Sequence, residues 1–146
     1  DSVCGDSRFL CDLVAFLHDD VGPASEAMLR RLGFKVMRPG LPLDVNEIQD
    51  EKTRNHVVEG GCCGAAELMK LFAYTLTEYH RVVHLDTDTL LLQSLDPILD
   101  ENESLLYTTD INMASKISPV LPVQGGFLVV RPDVVVFQHI IEVSDR

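Results

Sequence analysis

Runs and periods of apolar residues near the start of the chain predict a strand, a helix and a second strand. Residues 9–17 form an apolar run between polar residues, with the length of a buried strand. A helix is predicted to begin at Pro23 and to end at Gly33, because proline suits a first helical turn and glycine suits the left-handed residue after the last turn. Residues 34–37 are then predicted to form the next strand. The predicted buried face of the helix consists of Ala27, Met28, Leu29 and Leu32.

The middle of the chain divides into a polar stretch and a strongly periodic one. Residues 38–64 contain Pro39, Pro42, many charged side chains and a glycine-rich run, so we expect a long loop with little regular structure. Residues 65–79 carry apolar side chains three and four positions apart, which predicts an amphipathic α-helix. The predicted apolar face consists of Ala65, Leu68, Met69, Phe72, Leu76 and Tyr79.

The second half of the chain continues the alternation of strands and helices. A polar connection is expected over residues 110–122, and a last helix is predicted to begin at Pro132 and Asp133. Strands separated by helices predict one α/β domain over residues 1–146, with a sheet that is parallel in substantial part. Strands are predicted over residues 81–85, 105–108 and 125–130. The predicted buried face of the last helix consists of Val134, Phe137, Ile140 and Ile141.

Two carboxylates, Asp86 and Asp88, follow the predicted strand over residues 81–85. Ligands of open α/β sheets bind beyond the carboxyl ends of the strands. In an extended chain alternate side chains point the same way, so both carboxylates are expected to face one pocket. Like charges at such a distance repel each other unless a cation lies beside them. Mn²⁺ or Mg²⁺ suits this position, because each accepts carboxylate oxygens together with phosphate oxygens of a substrate.

A solvated turn after a buried strand is the alternative interpretation of the two aspartates. An Asp-x-Asp pattern alone is common, and the apolar residues on both sides of it favour the metal site. His84 alternates onto the same side of the strand as Asp86. We interpret His84 as a core or hydrogen-bonded residue rather than a metal ligand, since most strand histidines have that role.

Composition and charge narrow the classes of partner. The chain has 146 residues, of which 46% are hydrophobic and 24% charged, as in a globular protein. Its formal net charge of −11 argues against a nucleic-acid or anionic-membrane binder, because both need clustered Lys and Arg. An acidic protein that handles a phosphate substrate needs a cation. The apolar runs are all shorter than the ~20 residues of a membrane span.

The cysteines do not have the paired spacing of a zinc site. Cys62 and Cys63 are adjacent, within a glycine-rich run. Neighbouring residues form a disulfide only with strained geometry, so we expect thiols in a loop rather than a redox pair. The redox compartment is left open by this pattern.

Two stretches resemble glycosyltransferase family 8, the retaining enzymes that include glycogenin. The stretch ELMKLFAYTLTEYHRVVHLDTDTLLLQSLDPIL has a helix with a lysine, a strand and an Asp-x-Asp-Thr motif in the order typical of that family. The stretch PVQGGFLVVRP is similar to a later strand of the family that usually begins with Asn-Ser-Gly. The resemblance implies a Rossmann-like GT-A fold that binds nucleotide-diphospho-sugars. It also implies that the domain is incomplete at both ends, with the family's first strand expected before Ser7 and its downstream metal-binding histidine expected after Arg146.

The resemblance implies transfer of a hexose from a UDP-sugar to a hydroxyl acceptor, with retention and with Mn²⁺ or Mg²⁺. Asp86 and Asp88 match the metal ligands, and both, together with Thr87 between them, belong to the donor-binding motif. Lys70 matches the helix lysine that approaches the donor. Gln124 and Gly125 stand where the family usually has Asn-Ser. Gln124 keeps an amide that can bond a sugar hydroxyl, whereas the hydroxyl group of the serine is lost.

Two other functions are compatible with the pattern. A non-catalytic sugar-nucleotide-binding domain of the same fold is suggested by the altered Gln124 and Gly125. An Asp-x-Asp phosphatase, with Asp86 as nucleophile, is less favoured because Leu90 stands where those enzymes usually have Thr or Val. The acceptor is left open among a glycan, a polyol, a lipid and a protein hydroxyl, and the compartment is left open between the cytoplasm and the Golgi or secretory lumen.

Overall fold

The computed structural model describes residues 7–59, 63–109 and 123–144. Helices and strands alternate along these residues, so the predicted mixed α/β class is confirmed. The strands are β1 (Val14–Phe16), β2 (Lys35–Met37), β3 (Val82–Leu85), β4 (Leu105–Thr109) and β5 (Val123–Val130). The α-helices are α1 (Pro23–Arg31), α2 (Glu51–Glu59), α3 (Asp96–Leu99) and α4 (Val134–Ser144), and 3₁₀ helices span Val45–Glu47 and Gly64–Thr75.

The described residues form two compact units, and the first comprises the residues up to Phe72 and those from Val134 onward. In this unit β1 and β2 pair in parallel, with Val14 opposite Lys35 and Phe16 opposite Met37. The predicted strand over residues 9–17 is therefore too long, because β2 supplies only three pairing residues. Helix α1 connects the two strands as predicted, and Gly33 after it has a φ of 93°, which a glycine adopts without strain.

The predicted apolar face of α1 is not buried within the described residues. Met28 and Leu32 are 63% and 60% exposed, and only Leu29 of the predicted set is half-buried. Helical spacing shows which side chains are able to pack together on one face. Burial also needs an element that covers that face, and this part of the prediction is wrong for the residues described.

The prediction of a long loop over residues 38–64 is also wrong. Helix α2 lies within it, and its start has a local cause: the Asp50 carboxylate accepts a hydrogen bond from the backbone N–H of Thr53 at 2.7 Å. The Asp44 carboxylate does the same for Asn46 at 2.9 Å, at the start of the short 3₁₀ helix. Ile48 lies between these elements and is 1% exposed, so it anchors the segment. Asp44 and Asp50 are residues that favour helix starts, so the sequence could have predicted both helices at these positions.

The strongly periodic stretch is helical, but of another type and shorter than predicted. It forms the long 3₁₀ helix Gly64–Thr75 rather than an α-helix over residues 65–79. Met69 and Leu76 of the predicted apolar face are buried, and so is Ala73. Side chains three and four positions apart share a face in an α-helix, and a spacing of three also suits a 3₁₀ helix. The apolar pattern therefore does not distinguish the two types.

The second unit, Ala73–Asp133, contains a three-stranded sheet in the order β3-β5-β4. Strand β5 runs antiparallel to both neighbours, so the predicted parallel arrangement is wrong for this sheet. Val129 and Val130, in the last part of β5, are each 1% exposed and form its core. The connection between β4 and β5, residues 110–122, lies outside the described residues. The order of strands and helices along the chain does not specify whether neighbouring strands pair in parallel or antiparallel.

Helix α4 follows Pro132 and Asp133 as predicted and belongs to the first unit. Its Phe137 ring stacks on Phe72 at 5.7 Å between centroids, and Phe72 contacts Phe16 at 5.8 Å. Ile140 and Ile141 are half-buried, whereas Val134 is 43% exposed, contrary to its predicted burial. Within the three described ranges, no helix is both long and apolar enough to cross a membrane.

Two cysteines lie within the described residues. Cys63 is exposed, and its neighbour Cys62 lies outside the described residues, so the expectation of thiols rather than a redox pair stays a prediction. Cys11 is disulfide-bonded. Such a bond persists mainly in oxidising compartments.

Candidate functional site

Asp86 lies at the end of β3, where the sequence pattern predicts it. Its backbone N–H donates to the carbonyl of Gly126 at 3.0 Å, which extends the pairing of β3 with β5 by one residue. The Asp86 carbonyl then accepts a hydrogen bond from the N–H of Thr89 at 3.0 Å. This second bond closes a turn over Thr87 and Asp88.

The turn removes the alternation of side chains between the two aspartates. The alternation of side chains requires an extended chain, and the chain is not extended after Asp86. Asp88 and Thr87 are exposed on the turn, whereas the Asp86 side chain is 39% exposed. The expectation that alternation aligns the two carboxylates is therefore wrong. Whether both carboxylates bind one ligand depends on the conformation of the turn.

Asp86 and Gln124 converge on one face of Gly126. A Cβ atom at Gly126 would lie 2.8 Å from Asp86 Oδ2 and 2.9 Å from Gln124 Nε2. Gly126 is opposite Asp86 because β3 and β5 are antiparallel, and Gln124 shares its face because side chains two apart in a strand point the same way. The two sequence stretches that resemble the glycosyltransferase family therefore meet at Gly126.

An irregularity in β5 surrounds this point. Tyr107 of β4 pairs with Leu128, but the next residue, Thr108, pairs with Gln124. Gly125, Gly126 and Phe127 thus bulge away from the ladder with β4. Bulges of this kind are frequent beside functional sites, because they redirect the side chains around them.

The side chain of Gln124 is held in the bulge by two hydrogen-bonding groups. Its Oε1 atom accepts from the Gly126 N–H at 2.7 Å and from the Thr108 hydroxyl at 3.3 Å. Thr108 is not among the site residues predicted from the sequence. The sequence pattern indicates only that Thr108 is the last residue of a predicted strand.

His84 is also part of the site. Its Nε2 atom lies 3.5 Å from Asp86 Oδ1, and its side chain is 22% exposed. The two residues share a side of the strand, as the alternation in β3 predicts. His84 thus lies beside the aspartate, and its interpretation as a core or hydrogen-bonded residue stays a prediction.

The chemistry of these side chains fits a hard divalent cation. Asp86 and Asp88 supply carboxylate oxygens, the Asp88 side chain is exposed on the turn, and the Asp86 carboxylate is partly accessible. Mg²⁺ and Mn²⁺ sites commonly need only one or two protein carboxylates, with phosphate oxygens and water as the other ligands. Among the described residues, no group of three or more His, Cys, Asp or Glu side chains forms a complete protein cage for a metal.

Lys70 lies on the long 3₁₀ helix, in the first unit, whereas Asp86, Gln124 and Gly125 lie in the second. Its Nζ atom is 2.5 Å from Glu67 Oε2, and its side chain is 19% exposed. The three-residue winding of this helix puts residues 67 and 70 in line. Gly125 is half-buried within the bulge of β5.

No protein-family model matches the chain, and no curated protein matches it at a significant level. A functional assignment therefore depends on the geometry around Gly126 and on the two sequence stretches that meet there.

Proposed function

We propose that the chain is part of a metal-dependent retaining hexosyltransferase that resembles glycosyltransferase family 8 and uses a UDP-sugar as donor. One observation carries the proposal: Asp86 and Gln124, one from each stretch that resembles the family, converge on Gly126. Residues 38 positions apart in the chain meet there as a carboxylate beside an amide. The Rossmann-like GT-A fold is part of the same proposal, and the mixed α/β order is compatible with it.

Each residue has a role in this proposal. Asp86 and Asp88 would hold Mn²⁺ or Mg²⁺, which supplies positive charge beside the diphosphate leaving group when it is bound. Thr87 lies between them on the turn and would contact the donor. Gln124 presents its amide to a sugar hydroxyl, and Gly125 allows the backbone to come close to the ligand.

Lys70 would add a second positive charge near the diphosphate. Its ammonium group is paired with Glu67. Binding of a diphosphate by Lys70 therefore requires an exchange of partners, from one carboxylate to phosphate oxygens.

The test is calorimetric titration of the protein with UDP-glucose in the presence and absence of Mn²⁺, followed by an assay of UDP release. We expect Mn²⁺-dependent binding that weakens at least about tenfold in Asp86→Asn and in Asp88→Asn, since each change removes one anionic ligand. Asp19→Asn is the matched control, because it removes the same charge from an exposed position outside the site. Equal affinity in all four proteins would reject the proposal.

A non-catalytic sugar-nucleotide-binding domain is the second candidate. The Lys70–Glu67 ion pair favours it, because a lysine engaged by its own helix neighbour has less tendency to contact a leaving group. The Gln124-Gly125 pair, which lacks the serine hydroxyl usual in the family, favours it as well. Mn²⁺-dependent binding of UDP-glucose without release of UDP would identify this function.

A further inference from the structure

Three consecutive leucines are exposed directly after the turn that follows β3. Leu90, Leu91 and Leu92 are 79%, 45% and 83% exposed. Single exposed apolar side chains are common on protein surfaces, whereas a contiguous apolar patch commonly marks a binding surface. We call residues 90–92 the leucine segment. Its exposure therefore requires an explanation that a single leucine would not.

The backbone of the leucine segment is exposed to a partner as well. The segment belongs to neither a helix nor a strand. Within the three described ranges, the N–H and C=O groups of its residues have no hydrogen-bond partner in the protein. Such groups can pair with the backbone of an extended peptide, as happens when a peptide is added to the edge of a sheet. The segment thus offers both apolar side chains and backbone groups.

The charge around the leucine segment is negative. Asp88 is exposed two residues before the segment, and Asp96 follows it by four residues. From Val82 to Thr109 the chain has six carboxylate side chains and neither a Lys nor an Arg. A nucleic acid and an anionic membrane are disfavoured there, because both carry the same sign of charge. A partner with basic residues beside apolar ones matches the segment in both respects.

We propose that the leucine segment binds an extended peptide segment of a partner protein, in which apolar residues stand between basic ones. The apolar side chains of the peptide would pack against the leucines, and its backbone would pair with that of the segment. Its Lys or Arg side chains would lie near the carboxylates on either side. A second copy of this chain is disfavoured as the partner, because two copies would bring two negatively charged segments together.

The inference does not rest on the proposed function, so its test contains EDTA and no nucleotide. Fluorescence anisotropy is measured with three labelled peptides: three leucines between two pairs of lysines, the same leucines between pairs of glutamates, and three serines between pairs of lysines. We expect the first peptide to bind at least about tenfold more tightly than the other two. Its affinity should fall at least about threefold between about 50 and about 500 mM NaCl.

Two results with these peptides would overturn the inference. One is the absence of binding by the peptide with leucines and lysines. The other is equal binding of the lysine and glutamate peptides, because the charge of the partner would then have no role. Equal binding of the serine and leucine peptides would likewise overturn it, since the leucine segment would then contribute nothing.

Two matched double variants locate the binding surface. Leu90→Gln combined with Leu92→Gln should weaken binding of the first peptide at least about tenfold. Met28→Gln combined with Leu32→Gln is the control and should bind as the unchanged protein does. Those two side chains are 63% and 60% exposed, but their neighbour on α1 is the basic Arg31. Circular dichroism establishes that both variants are folded, and equal affinity of the first variant and the unchanged protein would overturn the inference.

Sedimentation velocity without peptide distinguishes the peptide from a second copy of the chain. We expect the protein to be monomeric at the concentrations used for binding. A dimer that dissociates in the variant with Leu90→Gln and Leu92→Gln would overturn the inference in favour of self-association through the leucine segment.

Discussion

Asp86 is bonded to Gly126 through the backbone, and its carboxylate lies where a side chain at position 126 would be. The Asp86 N–H donates to the Gly126 carbonyl at 3.0 Å, and Asp86 Oδ2 lies 2.8 Å from the position that a Cβ atom of Gly126 would occupy. The backbone bond extends the sheet, and the position of the carboxylate is compatible only with glycine at position 126. The missing side chain is therefore what allows a carboxylate and an amide to lie together over β5.

Gly126→Ala should separate function from stability. The new methyl group would displace the ends of the Asp86 and Gln124 side chains, which are flexible, so we expect a stability change within about 1 kcal/mol. Mn²⁺-dependent binding of UDP-glucose should weaken at least about tenfold, because both groups lose their positions. Chemical denaturation and calorimetry measure the two effects. Gly22→Ala is the control, since nothing lies within 4 Å of its added methyl, and it should bind as before. Undiminished binding by Gly126→Ala would contradict the site.

Lys70 and Glu67 can be tested against each other. If Lys70 serves only its ion pair, Lys70→Gln and Glu67→Gln should have the same small effect on stability and none on binding. Under the proposed function, Lys70→Gln should weaken binding of UDP-glucose at least about threefold. Glu67→Gln should leave the binding unchanged or strengthen it, because the lysine loses its competing carboxylate. Equal behaviour of the two variants in calorimetry would remove Lys70 from the site.

Gly64→Ala should destabilise the protein. Gly64 has a φ of 53°, and a Cβ there would lie 2.8 Å from the Val58 carbonyl oxygen, which belongs to the backbone of α2. Because the backbone cannot move aside as a side chain can, we expect a loss of about 2 kcal/mol. Gly33→Ala is the comparison: its φ is 93°, but nothing lies within 4 Å, so only the conformational cost of about 1 kcal/mol applies. Urea denaturation that ranks the two variants in the opposite order would contradict this account.

Glu26 should make the first unit sensitive to acid. The hydrogen bonds from Arg30 and Arg38, at 2.7 and 2.9 Å, lower the pKa of the Glu26 carboxyl from its ordinary value of 4.5. A lowered folded-state pKa contributes stability that is present above 4.5 and is lost as the pH falls through the lower, folded value. The difference in melting temperature between the unchanged protein and Glu26→Gln should therefore shrink as the pH falls below 4.5.

The control for this prediction is Glu142→Gln, which removes a carboxylate from an exposed position on α4. Its melting temperature should follow that of the unchanged protein across the same pH range. A difference between Glu26→Gln and the unchanged protein that stays constant from neutral pH to pH values well below 4.5 would show that the ion pairs do not stabilise the fold.

Local sequence patterns correctly predicted the ends of helices and strands where neighbouring residues decide the conformation. Pro23 and Gly33 bracketed α1, and the strand before Asp86 ends where the polar residues begin. Those features depend on a few consecutive residues, whose backbone preferences are visible in the sequence. The helix start at Asp50 has the same kind of local signal, but Asp50 is one of many charged residues in that segment and the pattern does not distinguish it from them.

Contacts between residues that are distant in the sequence were determined only by the tertiary structure. The sequence by itself determined the mixed α/β order and the position of Asp86 at a strand end. The antiparallel direction of β5, the register shift that brings Thr108 to Gln124, and the exposure of Met28 and Leu32 were visible only in the folded chain. Pairing of strands depends on contacts between residues far apart in the chain, and a local pattern of apolar and polar residues is the same for either strand direction.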